Sequence, residues 1–141
     1  MTHNTLTVRP PIRVDPAGDG EYGTRRGDRT HKGVDLAMAE GSVILAPESG
    51  KMGAYGYAYP DPDDHSYRIV NLHGDSGVLY RFFYAVRLGT HSSGRVTAGD
   101  PIAMAQDITA RYPDQDMLNH VHVETLRDGR NFDPREVLWL L

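Results

Sequence analysis

The sequence predicts a mainly β fold, and three observations support this prediction. The 141 residues include 15 glycines and 9 prolines, spread so widely that turn signals interrupt nearly every stretch long enough for a helix. The short segments between these turns are rich in β-branched and aromatic residues, or alternate between apolar and polar residues. The length is typical of one compact domain with its own hydrophobic core. We therefore expect a single, mainly β domain.

Strands and turns follow one another along the chain. Seven strands are predicted, over Gly33–Ala37, Ser42–Ala46, Gly50–Tyr57, Tyr67–His73, Val78–Val86, Ile102–Ala105 and His120–Leu126. Three turn sequences lie between or after them, at Asp61–Asp64 (DPDD), Gly74–Gly77 (GDSG) and Arg127–Arg130 (RDGR).

The two ends of the chain carry different signals. Helix chemistry is confined to Asp133–Leu141, where Asp133 is a suitable N-cap and Pro134 suits the first helical position. Glu136 then stands at the third helical position, as in a capping box. The first 21 residues are polar and rich in proline, which predicts a loosely ordered arm before a domain of residues 22–141.

Composition excludes several classes of protein and site. The chain has 19 acidic and 15 basic residues and no long basic block, which argues against nucleic acid as the main partner. No apolar run approaches the roughly 18 residues of a membrane span, and the N-terminus lacks the layout of a signal peptide. Because the chain has no cysteine, any metal must be held by His, Asp and Glu.

The first candidate site sequence is H-K-G-V-D, which places His31 four residues before Asp35. An imidazole and a carboxylate are both good ligands for Zn²⁺. By itself, a pair at this spacing is common in solvated loops, so its meaning depends on what else the chain offers.

The second candidate is N-H-V-H-V-E in the last predicted strand. Strict alternation puts His120, His122 and Glu124 on one face of that strand and Val121 and Val123 on the other, toward the core. An outward polar face on an edge strand would give the same pattern. Taken together, the two sequences supply the content of an open zinc site, which is three protein ligands and a position for water.

The chain resembles the LytM/lysostaphin-type zinc peptidases of family M23. The resemblance rests on R-T-H-K-G-V-D-L, G-S-V-I-L-A-P-E-S-G-K-M, V-T-A-G-D-P-I-A, N-H-V-H-V-E and F-D-P, in the family's order, and extends from about Tyr22 to the C-terminus. It implies a small antiparallel β fold with a groove. It also implies a zinc endopeptidase that cuts peptide cross-links or stems of bacterial peptidoglycan.

The resemblance also implies roles for individual residues. His31, Asp35 and His122 match the family's zinc ligands, and His120 matches a catalytic residue beside the metal-bound water. Two residues from His122 on the same strand face, His120 lies too far along the strand to share the ion comfortably but close enough to move a proton. Glu124 is expected either to hold a ligand imidazole by a hydrogen bond or to be an ordinary surface residue.

One position departs from the family pattern. The family carries a further histidine in a Y-x-H sequence, whereas this chain reads Y-R-F-F-Y-A-V-R-L, with Val86 or Tyr84 at that position depending on register. We expect the Tyr84 hydroxyl to take over part of the missing histidine's role, by donating to the oxyanion; His91, in the following loop, is the alternative. If either faces the groove, Tyr84 and Val86 should face it together, because they have the same parity. The remaining histidines are expected to be structural or incidental: His3, His65 and His73.

Two function classes follow from these observations. The first is an active peptidoglycan endopeptidase with Zn²⁺ as cofactor, acting on the cell wall as a phage lysis or virion-associated enzyme. The second is a metal-stabilised binding module of a phage tail or cell-envelope assembly, in which the missing histidine marks lost catalysis.

Overall fold

A computed structural model describes residues 13–15, 18–26, 29–89 and 94–138. The strands in these ranges are β1 Val14–Asp15, β2 Gly18–Asp19, β3 Arg25–Arg26, β4 Arg29–Thr30, β5 Val34–Ala37, β6 Val43–Leu45, β7 Gly50–Tyr57, β8 Arg68–Gly74, β9 Val78–Phe83, β10 Ala85–Arg87, β11 Arg95–Val96, β12 Pro101–Ala105, β13 His120–Arg127 and β14 Arg130–Phe132. The helices are α1, Arg135–Leu138, and two short 3₁₀ turns, Pro62–Asp64 and Thr109–Arg111. The fold is thus mainly β, as predicted. Within the same ranges, no helix combines the length and apolarity needed to cross a bilayer.

The described residues form two antiparallel sheets and two small hairpins. The larger sheet has seven strands in the order β11-β7-β8-β9-β13-β14, with β5 also pairing with β13. The smaller sheet has the order β10-β12-β6, and the hairpins are β1-β2 and β3-β4. The long strand β13 pairs with β5 near its start and with β9 and β14 farther along, so it lies at the centre of the molecule.

The hydrophobic core lies on one face of the larger sheet and is closed by the smaller one. Alternate residues of the central strands point into it, and Leu36, Phe82 and Val121 are all fully buried. Ile102 and Ala103 of β12 join the same cluster from the smaller sheet. This leaves the opposite face of β5, β9 and β13 available for polar side chains.

Six of the seven predicted strands agree with the structure to within one residue at each end. The exception is the predicted strand Val78–Val86, which is interrupted at Tyr84. Tyr84 has a φ of 67°, in the left-handed region that side-chain-bearing residues rarely adopt. After this bend, β10 leaves the larger sheet and pairs with β12 instead.

The end of the chain forms as its sequence indicates. Asp128 and Gly129 both have positive φ angles, 53° and 76°, as a two-residue turn between β13 and β14 requires. The Asp133 carboxylate accepts a hydrogen bond from the Arg135 backbone N–H at 3.0 Å, which suits the predicted N-cap. The structure assigns the helix to Arg135–Leu138, and the predicted residues 139–141 lie outside the described residues.

The predicted N-terminal arm is described only in part, because residues 1–12 and 16–17 lie outside the described ranges. Arg13 is buried, and its backbone N–H donates to the Asp35 carbonyl at 2.7 Å. Gly20 donates to the Arg13 carbonyl at 2.6 Å and accepts from the Asp35 N–H at 2.9 Å. This part of residues 1–21 is therefore packed against β5.

Candidate functional site

Strand register brings the two histidine-containing sequences together. In the antiparallel pair of β5 and β13, Asp35 lies directly opposite His122. His31 lies just before β5 and turns its ring toward the same point. One ligand atom from each of His31, Asp35 and His122 lies within 4.8 Å of the others. A site made of residues far apart in sequence thus forms from one strand pairing.

The three side chains are in close contact. The His122 Nδ1 atom lies 2.8 Å from Asp35 Oδ1, and His31 Nε2 lies 3.2 Å from the same oxygen. The two ring nitrogens are themselves 3.0 Å apart. His31 and Asp35 are buried, and little of His122 is exposed to solvent.

In each ring, the nitrogen turned away from Asp35 has its own hydrogen-bond partner, and this partner determines the tautomer of the neutral ring. His31 Nδ1 lies 2.8 Å from the Glu21 carbonyl oxygen, and His122 Nε2 lies 2.9 Å from Glu124 Oε2. Carbonyl and carboxylate oxygens only accept, so these nitrogens must donate, and the neutral rings turn lone pairs toward Asp35 Oδ1. When both rings are neutral, three acceptors therefore face one another at hydrogen-bond distance.

This arrangement fits a cation and is unfavourable without one. Two neutral imidazole nitrogens and one carboxylate oxygen are a ligand set that suits Zn²⁺. Burial alone would lower the pKa of His122, but the carboxylates of Asp35 and Glu124 outweigh it and raise that pKa. Burial alone would raise the pKa of Asp35, but contacts with His122 and His31 hold it well below its usual range. The metal-free cluster therefore attracts a proton, which a metal ion would displace.

Glu124 orients a ring of this cluster. Besides its contact with His122 Nε2, its other oxygen lies 3.3 Å from Arg81 Nη1. Arg81 Nε in turn donates to Asn71 Oδ1 at 3.3 Å. A chain of polar side chains across β13, β9 and β8 thus fixes the His122 ring, and a carboxylate behind a ligating histidine is a common feature of metal sites.

His120 lies beside the cluster and is separate from it. Its Nδ1 lies 3.0 Å from the Leu118 carbonyl oxygen and so donates, which leaves Nε2 as an acceptor turned toward the site. That Nε2 atom lies 3.8 Å from Asp35 Oδ2, whereas His31 and His122 contact Oδ1. Burial lowers the pKa of His120, although Asp35 opposes this effect. A neutral imidazole at this position can accept a proton at neutral pH.

Tyr84 lies on the same side of the molecule as His120. Their rings meet edge to face, with centroids 5.6 Å apart. Burial, and secondarily the Asp35 charge, raise the pKa of Tyr84 to about 12, so its hydroxyl remains a donor at neutral pH. Val86 faces a different cavity, which Met104 and Gln106 also line. The shared orientation expected from parity is wrong, because the left-handed backbone at Tyr84 breaks the alternation.

The cluster forms the floor of an open cleft of about 460 Å³. Its walls combine aromatic, polar and aliphatic side chains: Lys32, Phe83, Tyr84, Tyr112, Gln115 and Met117. The Tyr112 hydroxyl forms a 2.9 Å hydrogen bond with that of Tyr59, whose ring stacks near Tyr84 at 6.0 Å. A cleft of this size and polarity can admit an extended peptide.

The other histidines lie elsewhere. The His73 side chain is exposed on β8, and His65 stacks on Tyr57 at 4.0 Å between ring centroids. His3 and His91 fall outside the described residues.

Arg13 is a site residue that sequence reasoning missed. It lines the cleft, and its Nη2 lies 3.1 Å from Asp35 Oδ2. It stands in a polar, proline-rich stretch with no periodicity, so the sequence carries no sign that it packs against Asp35. A buried arginine is recognisable only once the strands have been placed.

Comparisons with known families and curated proteins find related sequences. The model of peptidase family M23 matches residues 29–134, which include His31, Asp35, His120 and His122. Leukocyte cell-derived chemotaxin-2 of Mus musculus is 30% identical over 116 residues, covering 78% of this chain and 69% of that protein.

Solved structures share the fold at lower sequence identity. The catalytic domain of the antimicrobial peptidase lysostaphin from Staphylococcus simulans has a TM-score of 0.67 and 17% identity, with 99% of both chains covered. A variant of the catalytic domain of the prophage-encoded M23 protein EnpA from Enterococcus faecalis has a TM-score of 0.59 and 18% identity, covering 89% of this chain and 90% of that one. The match of the family model to most of the sequence shows that this chain belongs to peptidase family M23.

Proposed function

We propose that this protein is a zinc-dependent endopeptidase that hydrolyses peptide bonds in bacterial peptidoglycan. The observation that carries the proposal is the convergence of three acceptor atoms, from His31, Asp35 and His122, on the floor of an open cleft. His120 lies next to them with an accepting nitrogen turned inward. This arrangement supports a metal site and a proton acceptor beside a cleft that has room for a peptide.

Zinc held by His31, Asp35 and His122 would supply a Lewis acid and a water made acidic enough to ionise near neutral pH. His120 provides the proton transfer. Its Nε2 accepts a proton from the attacking water and passes it to the leaving amine, while Nδ1 remains held by the Leu118 carbonyl. The low pKa that burial gives His120 keeps the ring neutral and ready to accept.

Tyr84 provides the second polar group of the reaction. Its hydroxyl stays protonated at neutral pH and lies on the cleft wall beside His120. We assign it the task of donating a hydrogen bond to the oxyanion that forms when the peptide carbonyl is attacked. It is one of the two residues, with Val86, that can stand at the histidine position of the M23 pattern, and of the two it is the one that lines this cleft.

The substrate and setting are inferred from the relatives together with the cleft. Lysostaphin is described as an antimicrobial peptidase and EnpA as prophage-encoded, and both share this fold. We extend the proposal to peptidoglycan stem peptides or cross-links as substrate. As the setting, we propose phage lysis or association with a virion.

The test is hydrolysis of purified peptidoglycan with detection of the new amino termini, which separates peptide cleavage from glycan cleavage. We expect zinc-loaded protein to release amino groups, chelator to abolish the release, and added zinc to restore it. Asp35→Ala prepared in the same way is the matched control. Zinc-loaded protein that releases no amino groups from walls of any peptide chemistry would contradict the proposal.

Two observations favour a second function. The histidine of the family pattern is absent, with Val86 or Tyr84 at its position, and the mouse relative is named as a chemotaxin rather than as a peptidase. In this alternative the chain is a metal-stabilised binding module. It predicts that the zinc-loaded protein sediments with insoluble peptidoglycan or another ligand and releases no new amino termini.

A further inference from the structure

Arg13 is not among the proposed metal ligands or the groups proposed to transfer protons, yet it lies beside them. It is the largest fully buried side chain of the described residues, with 1% of its surface exposed, and it lines the floor of the cleft. A guanidinium stays charged at any ordinary pH, and burying a charge is unfavourable unless it is paired and hydrogen-bonded. A fully buried arginine beside a metal-binding cluster therefore requires a specific partner.

The carboxylate of Asp35 is a partner of this kind. Arg13 Nη2 lies 3.1 Å and Nε 3.3 Å from the same oxygen, Oδ2. The other oxygen, Oδ1, faces His122 Nδ1 at 2.8 Å and His31 Nε2 at 3.2 Å. The two oxygens are thus divided between a fixed positive charge and the histidine cluster.

The backbone holds this division in place. The Arg13 N–H donates to the Asp35 carbonyl at 2.7 Å, and the Asp35 N–H donates to the Gly20 carbonyl at 2.9 Å. A side chain at Gly20 would place its Cβ 2.7 Å from the Asp35 Cβ, so the segment can approach this closely only with glycine. Asp35 is therefore fixed by its backbone and its side chain to the same segment.

We propose that Arg13 is a positioning residue that holds Asp35 Oδ2, so that only Oδ1 is presented to the metal. A carboxylate with both oxygens free can bind a metal through both, which fills a further coordination position. Holding one oxygen keeps Asp35 a single-atom ligand and leaves that position open for water or substrate, as in catalytic zinc sites. This inference rests on the proposed zinc site and does not require that the protein hydrolyse peptidoglycan.

The test compares wild type, Arg13→Met and Arg13→Lys by zinc affinity and by the visible spectrum of the cobalt-substituted protein. Zinc affinity is measured by competition with a chromophoric chelator, and the cobalt spectrum reports the coordination number. We expect Arg13→Met to bind zinc about 10- to 100-fold more weakly, the usual effect of losing a partner of a ligand. Its cobalt spectrum should shift toward higher coordination. Arg13→Lys keeps the charge but has a different donor geometry. Its zinc affinity and cobalt spectrum should therefore lie between those of wild type and Arg13→Met.

The matched control is Arg95→Met, which removes an arginine from an exposed pair with Asp75, where Nη1 lies 2.8 Å from Oδ1. It should leave both readouts unchanged. Wild-type zinc affinity and an unchanged cobalt spectrum in folded Arg13→Met would overturn the proposal. If Arg13→Met does not fold, Arg13→Lys decides: weaker zinc binding supports the role, and wild-type behaviour overturns it.

The two proposals fail in different ways. Wild-type protein that binds zinc but releases no amino groups from peptidoglycan refutes the proposed hydrolysis and leaves the affinity and spectral comparison intact. Equal affinity and spectra across the variants, with hydrolysis retained by wild type, refute only the role of Arg13.

Discussion

Two carboxylates of this protein accept several close contacts, and their surroundings differ in one respect. Glu48 accepts from the Ser76 backbone N–H at 2.8 Å, the Ser76 hydroxyl at 2.7 Å and the Tyr80 hydroxyl at 2.6 Å. Every one of these groups is a donor, so the carboxylate is satisfied. Asp35 Oδ1 instead faces two ring nitrogens whose outer partners make them acceptors.

The balance of donors and acceptors therefore distinguishes the carboxylate of Glu48 from that of Asp35, the proposed metal ligand. Both groups are close to several polar atoms, and distance alone would class them together. Around Glu48 the protein supplies hydrogen-bond donors from Ser76 and Tyr80, so both carboxylate oxygens are paired. Around Asp35 Oδ1, when the two rings are neutral, the inward nitrogens of His31 and His122 are acceptors, and a cation or an added proton is needed to pair them.

The largest effect expected from this difference is loss of metal. We expect wild type to bind one Zn²⁺ per chain, and His31→Ala and Asp35→Ala to lose it. Removing the metal from wild type should lower stability by the binding energy lost, about 4 kcal/mol when free zinc is 1,000-fold above Kd. Elemental analysis and thermal unfolding with and without chelator measure both. Full zinc occupancy in both variants would show that the cluster is not the metal site.

His120 tests whether the group beside the cluster acts in the reaction rather than on the metal. Its Nε2 lies 3.8 Å from Asp35 Oδ2, the oxygen to which Arg13 donates. We expect His120→Ala to keep its zinc and lose about 10²- to 10⁴-fold in rate, the usual cost of removing a general acid or base. Zinc content and turnover are measured on the same preparation. Loss of zinc together with activity would make His120 a ligand.

Tyr84→Phe sharpens the comparison by deleting one hydroxyl from the cleft wall. Loss of one oxyanion donor should lower kcat about 10²- to 10³-fold and change KM little. Val86→Ala is the matched control, because Val86 faces the other cavity. Unchanged turnover in Tyr84→Phe, with a collapse in His91→Ala, would assign the role to the loop of His91.

The sequence was sufficient for most strands because hydrophobic alternation and turn residues act locally. It was insufficient at Tyr84. The run F-F-Y-A-V reads as one continuous strand, and nothing in the residue types announces a tyrosine with a φ of 67°. That bend is fixed by pairing of Ala85–Arg87 with the smaller sheet, which is a long-range contact.

In the candidate site, too, local patterns were predictable from the sequence and long-range contacts were not. Parity on one strand placed His120, His122 and Glu124 on one face, because a strand alternates strictly. The partnership of Arg13 with Asp35 was not predictable, since it depends on how an irregular segment packs against β5. Sequence patterns thus predict which residues share one face of a strand. Contacts between residues of different elements become known only from the packing.

Substitution of Glu48, the other carboxylate of the comparison, has the smallest effect that we expect. Glu48→Gln replaces an acceptor oxygen by an NH₂ group that faces the donors of Ser76 and Tyr80. We expect a loss of about 1–2 kcal/mol in the free energy of unfolding at neutral pH, with zinc content and turnover unchanged. Urea unfolding of the zinc-loaded protein measures the first. Tyr80→Phe, which removes only one 2.6 Å contact, should lose less.

The pH dependence of this loss tests its cause. Burial alone would raise the pKa of Glu48, but the hydrogen bonds from Tyr80 and Ser76 outweigh it and lower that pKa. A carboxylate whose pKa is lower in the folded protein stabilises it above the unfolded value of about 4.3, and this contribution is lost as the pH falls through the folded value. The difference in unfolding free energy between wild type and Glu48→Gln should therefore shrink below about pH 4.3. The measurement uses metal-free protein, so that pH-dependent zinc binding at the Asp35 cluster does not contribute. A difference that stays constant down to pH 3 would mean that Glu48 acts through its shape and not through its charge.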